Sequence, residues 1–254
     1  MIFDTHAHYD DEQFDGDREQ LLASMQDRGV GTIVNVSSDV ASWEGVRKLV
    51  KKYSFIYGAA GIHPDDVGEL SEENFARLKN ILQEQKIVAV GEIGLDYYWE
   101  KESHDEQKNW FIRQLRLAGE LGMPVIIHSR DAAADTLDIM KKYGKGLGGV
   151  IHCFSYSVEL AREYVKMGFY IGVGGVVTFK NARKLKEVVE DIPLDFLVLE
   201  TDSPYLAPEP NRGKRNSSLN LTYVAERIAE LKGVSYEEVE AQTERNARKL
   251  YRME

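Results

Sequence analysis

Cysteine is all but missing from this sequence. Cys153 is the one thiol in 254 residues, which excludes an intrachain disulfide and suits a reducing compartment. An excess of basic residues is missing too: 32 Lys and Arg stand against 42 Asp and Glu, for a net charge of -10. Such a surface excludes nonspecific electrostatic adhesion to nucleic acid or to an anionic membrane, but not a phosphate held at one local cationic spot. No apolar run is long enough to cross a bilayer. The opening residues, with Asp4, Asp10, Asp11 and Glu12, lack the basic-then-apolar pattern of a secretion signal. A cytoplasmic protein without membrane contact is the expectation. Repeats, low-complexity tracts and an interior linker are also absent. Residues 1–254 therefore read as one domain, and an apolar content of 43% suffices for one large core.

What is present is alternation. Ile2 and Phe3 lead a short strand into Asp4-Thr5-His6-Ala7-His8, where period two puts Asp4, His6 and His8 on one face. Helical spacing covers 18–28, with Leu21, Leu22 and Met25 as its apolar stripe, and Gly29 and Gly31 stop it. Further strands are read at 32–36, 56–61, 87–90 (running on into 91–96), 124–128, 149–152, 169–173 and 196–202. Helices are read at 41–53, 74–85, 104–121, 132–143, 158–167, 182–190, 219–231 and 236–251. Apolar strands alternating with amphipathic helices predict a parallel sheet buried on both faces. Eight such units in about 250 residues predict an α/β fold of the (β/α)8 TIM-barrel type. An open doubly wound sheet is the alternative. The strand count and the lack of a Gly-x-Gly-x-x-Gly turn after any strand favour closure.

The histidines are not scattered. His6 and His8 end the first strand, His63 follows the third, and His128 and His152 end the fifth and sixth. Glu92 and Asp202 end the fourth and eighth. In a parallel barrel these ends share one rim, where barrel enzymes keep their chemistry. Any one of these histidines alone is equally a structural residue, and His-x-His alone also describes a polar strand end. Five rings with two carboxylates, desolvated together, call for a cation. Six ligand-type side chains exceed what one tetrahedral zinc uses and suit two divalent ions roughly 3.5–4 Å apart with a carboxylate between them. Two such ions leave the spot positive, as an anionic substrate requires.

Asp4-Thr5-His6-Ala7-His8, Gly61-Ile62-His63-Pro64, Gly91-Glu92-Ile93-Gly94-Leu95-Asp96-Tyr97, Ile127-His128-Ser129-Arg130, His152-Cys153-Phe154-Ser155 and Leu199-Glu200-Thr201-Asp202-Ser203-Pro204-Tyr205 together resemble the TatD family of metal-dependent deoxyribonucleases, part of the wider amidohydrolase superfamily. The resemblance runs nearly end to end. It implies a barrel and 3′-to-5′ exonuclease or related phosphodiesterase activity on single-stranded or frayed DNA, with water activated by two divalent ions (magnesium, manganese or zinc). By the same resemblance His6 and His8 hold one ion, His128 and His152 the other, and Glu92 bridges them. Asp202 ligates the first ion and takes the proton of the attacking water, and His63 faces the substrate phosphate. Tyr156 and Ser217-Ser218 depart from the family pattern on expected rim loops.

The remaining expectations concern the rim. Aromatic residues there (Tyr97, Tyr98, Trp99, Phe154, Tyr156, Phe179) can stack on bases or simply pack the loops. Arg130, Lys180, Arg212, Lys214 and Arg215 can form a basic lip or be merely solvated. Tyr97, Phe154, Arg130 and Arg215 are taken with His63 as substrate contacts. Asp4 and Glu200 are read as supports behind the ligands, Cys153 as core by strand alternation, and His104 as surface. Two other functions fit the same residues: hydrolysis of a small cyclic amide or ester, as in related barrels, and a metal-stabilised scaffold without catalysis. The former often uses a carboxylated lysine where Glu92 stands.

Overall fold

The computed structural model describes residues 1–99 and 102–253. Eight strands form one parallel sheet in sequential order: β1 (Ile2–Ala7), β2 (Val30–Val36), β3 (Ile56–Ala60), β4 (Ile87–Asp96), β5 (Val125–Arg130), β6 (Gly149–Ile151), β7 (Phe169–Val173) and β8 (Leu197–Leu199). The sheet curls round on itself. Thr201 and Asp202 donate to the carbonyl of His6 at 3.3 and 2.9 Å, His8 donates to that of Ser203 at 2.8 Å, and Ala7 bridges Ser203 in parallel sense. The fold is thus a (β/α)8 barrel. Its helices are α1 (Arg18–Ala23), α2 (Ser42–Lys52), α3 (Glu72–Ile81), α4 (His104–Leu121), α5 (Ala133–Tyr143), α6 (Val158–Lys166), α7 (Arg183–Asp191), α8 (Leu221–Lys232) and α9 (Tyr236–Leu250). Among the described residues no helix is long and apolar enough to cross a membrane.

The elements match the periodicity to within a few residues. The largest difference is α1, which stops at Ala23 and gives way to a 3-10 turn over Gln26–Arg28 closed by Gly29 at φ 90°. Strand residues divide by parity between two cores. Ile33, Ala60, Val90, Ile127, Ile151, Leu197 and Leu199 face the helices. Phe3, Val34, Ala59, Ala89, Ile126, Val150 and Val198 fill the barrel, closed by Ala247, Leu250 and Tyr251 at the end of α9. Burial on both faces is why these strands read as unbroken apolar runs.

Two register shifts re-aim side chains near the mouth. One lies between Asp4 and Ala7 in the β1–β2 pairing, the other between Val90 and Ile93 in the β4–β5 pairing. Beyond the second, Gly94 pairs with His128. Gly94 has φ +152°, and a Cβ on it would stand 1.9 Å from the His128 carbonyl oxygen. Only glycine lets β4 and β5 approach this closely. Gly94→Ala should therefore destabilise the protein by about 3 kcal/mol in urea unfolding, from strained φ and backbone overlap together. A midpoint within error of the parent's would show that the two strands do not need this contact.

Candidate metal centre

The strand ends converge. His128 and His152 continue the inward parity of Ile126 and Val150, while His6 and Glu92 come inward beyond the register shifts. Nε2 of His6 and Nε2 of His8 face each other at 3.0 Å. Glu92 Oε2 lies 3.3 Å from the first and 4.0 Å from the second. Asp202 Oδ1 lies 3.8 and 3.3 Å from the same two atoms. The other oxygen of Glu92, Oε1, faces His128 Nδ1 at 2.8 Å, His152 Nε2 at 3.6 Å and His63 Nε2 at 3.9 Å. One buried carboxylate thus looks two ways, toward His6 and His8 with one oxygen and toward three further rings with the other.

Outer hydrogen bonds assign the ring nitrogens. His8 Nδ1 donates to the Val36 carbonyl at 2.8 Å, so in the neutral ring the lone pair is on Nε2 and aimed at the centre. His152 Nδ1 meets Glu200 Oε2 at 3.1 Å to the same effect. Glu200 also accepts from the Cys153 backbone at 2.6 Å. Gly172 of β7 leaves room for it, since a Cβ there would stand 2.3 Å from Oε2. His6 has no such partner for Nδ1 among the described residues and is held by stacking on His152, centroids 3.6 Å apart. His63 is the opposite case. Its Nδ1 accepts from the Asp65 backbone at 3.2 Å, so its proton sits on Nε2 and points at the centre as a donor.

Burial pushes all five rings toward the neutral form. Hydrogen bonding to Asp202 and the charges of Asp202 and Glu92 overcome it at His8, raised to about 9. Asp96 and Glu92 do so at His128, also to about 9, and Glu200 and Glu92 at His152, to about 10. His6 and His63 stay lowered by burial and by the neighbouring rings, His63 to about 3. Burial likewise pushes Glu92 and Asp202 up, but the surrounding imidazoles more than offset it and hold both below the usual carboxylate range. The donor set fits divalent cations. It consists of nitrogen and carboxylate atoms, with His6, His8 and Glu92 in one group and His6, His152 and Asp202 in another, each within 4.8 Å, while Glu92 and His128 are grouped with His63, which faces them as a donor.

Five of the six residues expected as ligands, His8, Glu92, His128, His152 and Asp202, line one cleft of about 720 Å³ at the mouth, together with His63 and Arg130, and buried His6 lies against them. His152 groups with His6 and Asp202 and also lies 3.6 Å from the Glu92 oxygen that faces His128, while His128 sits beside His63. The other expected substrate contacts lie elsewhere. Arg215 is held by both oxygens of Asp17 at 2.8 and 2.6 Å and covers Phe14. Tyr97 stacks on the exposed His104 and donates to Asp135 at 2.7 Å. Phe154 is buried and lines a small apolar side cavity.

The two departures from the family pattern are absorbed internally rather than on the rim. Tyr156 meets Ser129 at 2.9 Å, and buried Ser218 donates to Asp4 at 2.6 Å. Asp4 also accepts from Thr201 at 2.7 Å, so it ties β1 to the segment after β8 instead of joining the rings. Cys153 is not in the core, contrary to strand alternation. It lines the cleft and groups with His152 and Glu200, because the chain leaves β6 at Ile151 and Cys153 takes φ +46°, where strand alternation no longer applies. Sequence reasoning gave Asp96 no role, yet its Oδ2 lies 2.9 Å from His128 Nε2. It shares period-two parity with Glu92 on one strand, and that signal was available.

A closed parallel barrel with imidazoles and carboxylates gathered at its C-terminal mouth defines a metal-dependent hydrolase. Comparison with known proteins narrows the class. The chain belongs to the family of TatD related DNases, which it matches over residues 3–252. It is 47% identical, over the full length of both chains, to YabD of Bacillus subtilis, described as a metal-dependent hydrolase. It is 34% identical to the 3′-5′ ssDNA/RNA exonuclease TatD of Cronobacter sakazakii, covering 98% of this chain and 97% of that one. Among solved structures, the TatD homologue YJJV of Escherichia coli superposes with a TM-score of 0.93 at 32% identity, covering 99% and 98% of the two chains.

Proposed function

We propose that this protein is a nuclease that hydrolyses phosphodiester bonds at the end of single-stranded DNA, from the 3′ side, with two divalent cations (magnesium, manganese or zinc) at the barrel mouth. The observation that carries this is Glu92, whose two oxygens address two separate groups of imidazoles. In that arrangement His6, His8 and Asp202 would hold one cation and His128 the other, Glu92 would offer one oxygen to each group, and His152 lies 3.6 Å from Glu92 and 3.9 Å from Asp202. Bound cations supply Lewis acidity, which brings the pKa of water toward neutrality and offsets charge on the phosphoryl oxygens.

The chain does the rest. With a cation in place of the second proton, His8 and His152 would present Nε2 lone pairs, because Val36 and Glu200 hold their Nδ1 protons. Asp202, kept ionised by its imidazole neighbours, accepts the proton of the attacking water. His63, neutral with Nε2–H pointing inward, donates to a phosphoryl oxygen. The activity named for the Cronobacter relative supports the choice of single strands and of direction. The single free thiol supports a cytoplasmic setting.

The test is metal removal. Protein stripped with chelator should leave 5′-labelled single strands intact, and readdition of one of the three metals should restore stepwise shortening. Elemental analysis should then find two ions per chain. Cleavage by stripped protein, or none with any metal, would overturn the proposal.

A further inference from the structure

Among the described residues, five large apolar side chains are exposed: Met1, Tyr98, Trp99, Tyr205 and Leu206. Met1 precedes β1, at the opposite end of the barrel. The other four stand at the mouth, and Trp99, Tyr205 and Leu206 line the cleft itself. They form two walls. Tyr98 and Trp99 follow β4, with the Arg130 guanidinium 3.8 Å over the first ring and 5.4 Å from the second. Tyr205 and Leu206 follow the last strand on the other side.

Each wall is anchored to the centre. The backbone N–H groups of Tyr98 and Trp99 donate to Asp96 Oδ1 at 2.8 and 3.2 Å, and the other oxygen of that carboxylate holds His128. The Tyr205 N–H donates to the Asp202 carbonyl at 2.8 Å, and its hydroxyl to Asp11, also at 2.8 Å. Trp99 is 57% and Tyr205 49% exposed. Aromatic surface left in water on both sides of one cleft marks a ligand with flat faces.

The charges point the same way. Among the described residues lining the cleft, Arg130 is the only Lys or Arg, against Asp11, Asp65, Glu92, Asp96 and Asp202. Of the five cations named for a basic lip or a solvated surface, Arg130 lines the cleft, Arg215 is bound by Asp17 and Arg212 lies over Phe179. A protein that tracks a nucleic-acid backbone needs a row of cations. This cleft offers aromatic walls instead.

Resting on the nuclease proposal, we propose that the protein grips its substrate by the bases of the last one or two nucleotides, stacked on Trp99 and Tyr205, and makes one fixed cationic backbone contact, through Arg130. Its minimal full substrate is then a dinucleotide, and a paired end is refused until the terminal base is free.

The experiment compares kcat/KM for d(ApA), for the same phosphodiester lacking one base, and for a longer single strand, in wild type, Trp99→Ala and Tyr205→Ala. In wild type, removing one base should lower kcat/KM by about tenfold or more, as loss of one stacked base does. The longer strand should gain little over d(ApA). Its kcat/KM should fall with salt at a log–log slope of about -0.7, one phosphate contact on a single strand. Both substitutions are at exposed positions and should leave the melting temperature unchanged, while shrinking the penalty for the missing base and raising KM more than they lower kcat.

Three results would overturn the inference alone: phosphodiesters are cut but base removal has no effect, the variants keep the full penalty, or the slope is several times steeper with strong preference for length. If no phosphodiester is cut under any metal, the nuclease proposal falls and takes this one with it.

Discussion

Asp202→Asn leaves a folded protein whose hydrolysis of single-stranded DNA is slower by about 10³-fold or more. The carboxamide keeps the size of the side chain but neither its charge nor its basicity. Asp202 Oδ1 stands 3.3 Å from His8 Nε2 and within 4 Å of Nε2 of both His6 and His152, so the substitution removes an anion from among three imidazoles and, with it, the proposed acceptor for the proton of water. The backbone should hold. Asp202 already occupies the left-handed region at φ +57°, which asparagine also tolerates, and its N–H bond to the His6 carbonyl needs no side chain. Circular dichroism should therefore match the parent while end-labelled substrate persists. A wild-type rate in the metal-loaded variant would remove Asp202 from the chemistry.

Glu92→Gln should be nearly as damaging, by a different route. As a carboxylate, Glu92 offers one oxygen to His6 and His8 and the other to His128, His152 and His63. A glutamine keeps one acceptor and turns an N–H₂ toward the other side, where it faces donors or ligand nitrogens. One group of rings loses its carboxylate whichever way the amide turns. At the proposed two-ion site, metal content should drop by one ion per chain, and the rate by about 10²-fold. Two retained ions with near-parental turnover would show that Glu92 is not shared between them.

Much of the site was legible along the chain because a barrel turns a sequence rule into a place. Residues at the ends of apolar runs share one rim, so His128 and His152, two positions beyond inward-facing Ile126 and Val150, could be put at the mouth by counting. Alternation failed where the backbone leaves strand geometry. It put Asp4 with His6 and His8, but a register shift follows Asp4, and its carboxylate goes to Thr201 and Ser218. It put Cys153 in the core, but that residue lies past β6 at positive φ.

What the sequence determined by itself was the set of elements, the closure of the barrel and the identity of the side chains at its mouth. Hydrophobic periodicity and chain order are local properties, and a parallel barrel has few ways to satisfy them. What only the tertiary structure decided was direction: which oxygen of Glu92 meets which ring, which nitrogen of His63 carries its proton, and that Arg215 spends its charge on Asp17 while Trp99 and Tyr205 stand open. Those outcomes depend on contacts between residues up to nearly two hundred positions apart, where a hydrogen bond of 3 Å is made or lost by the turn of one strand.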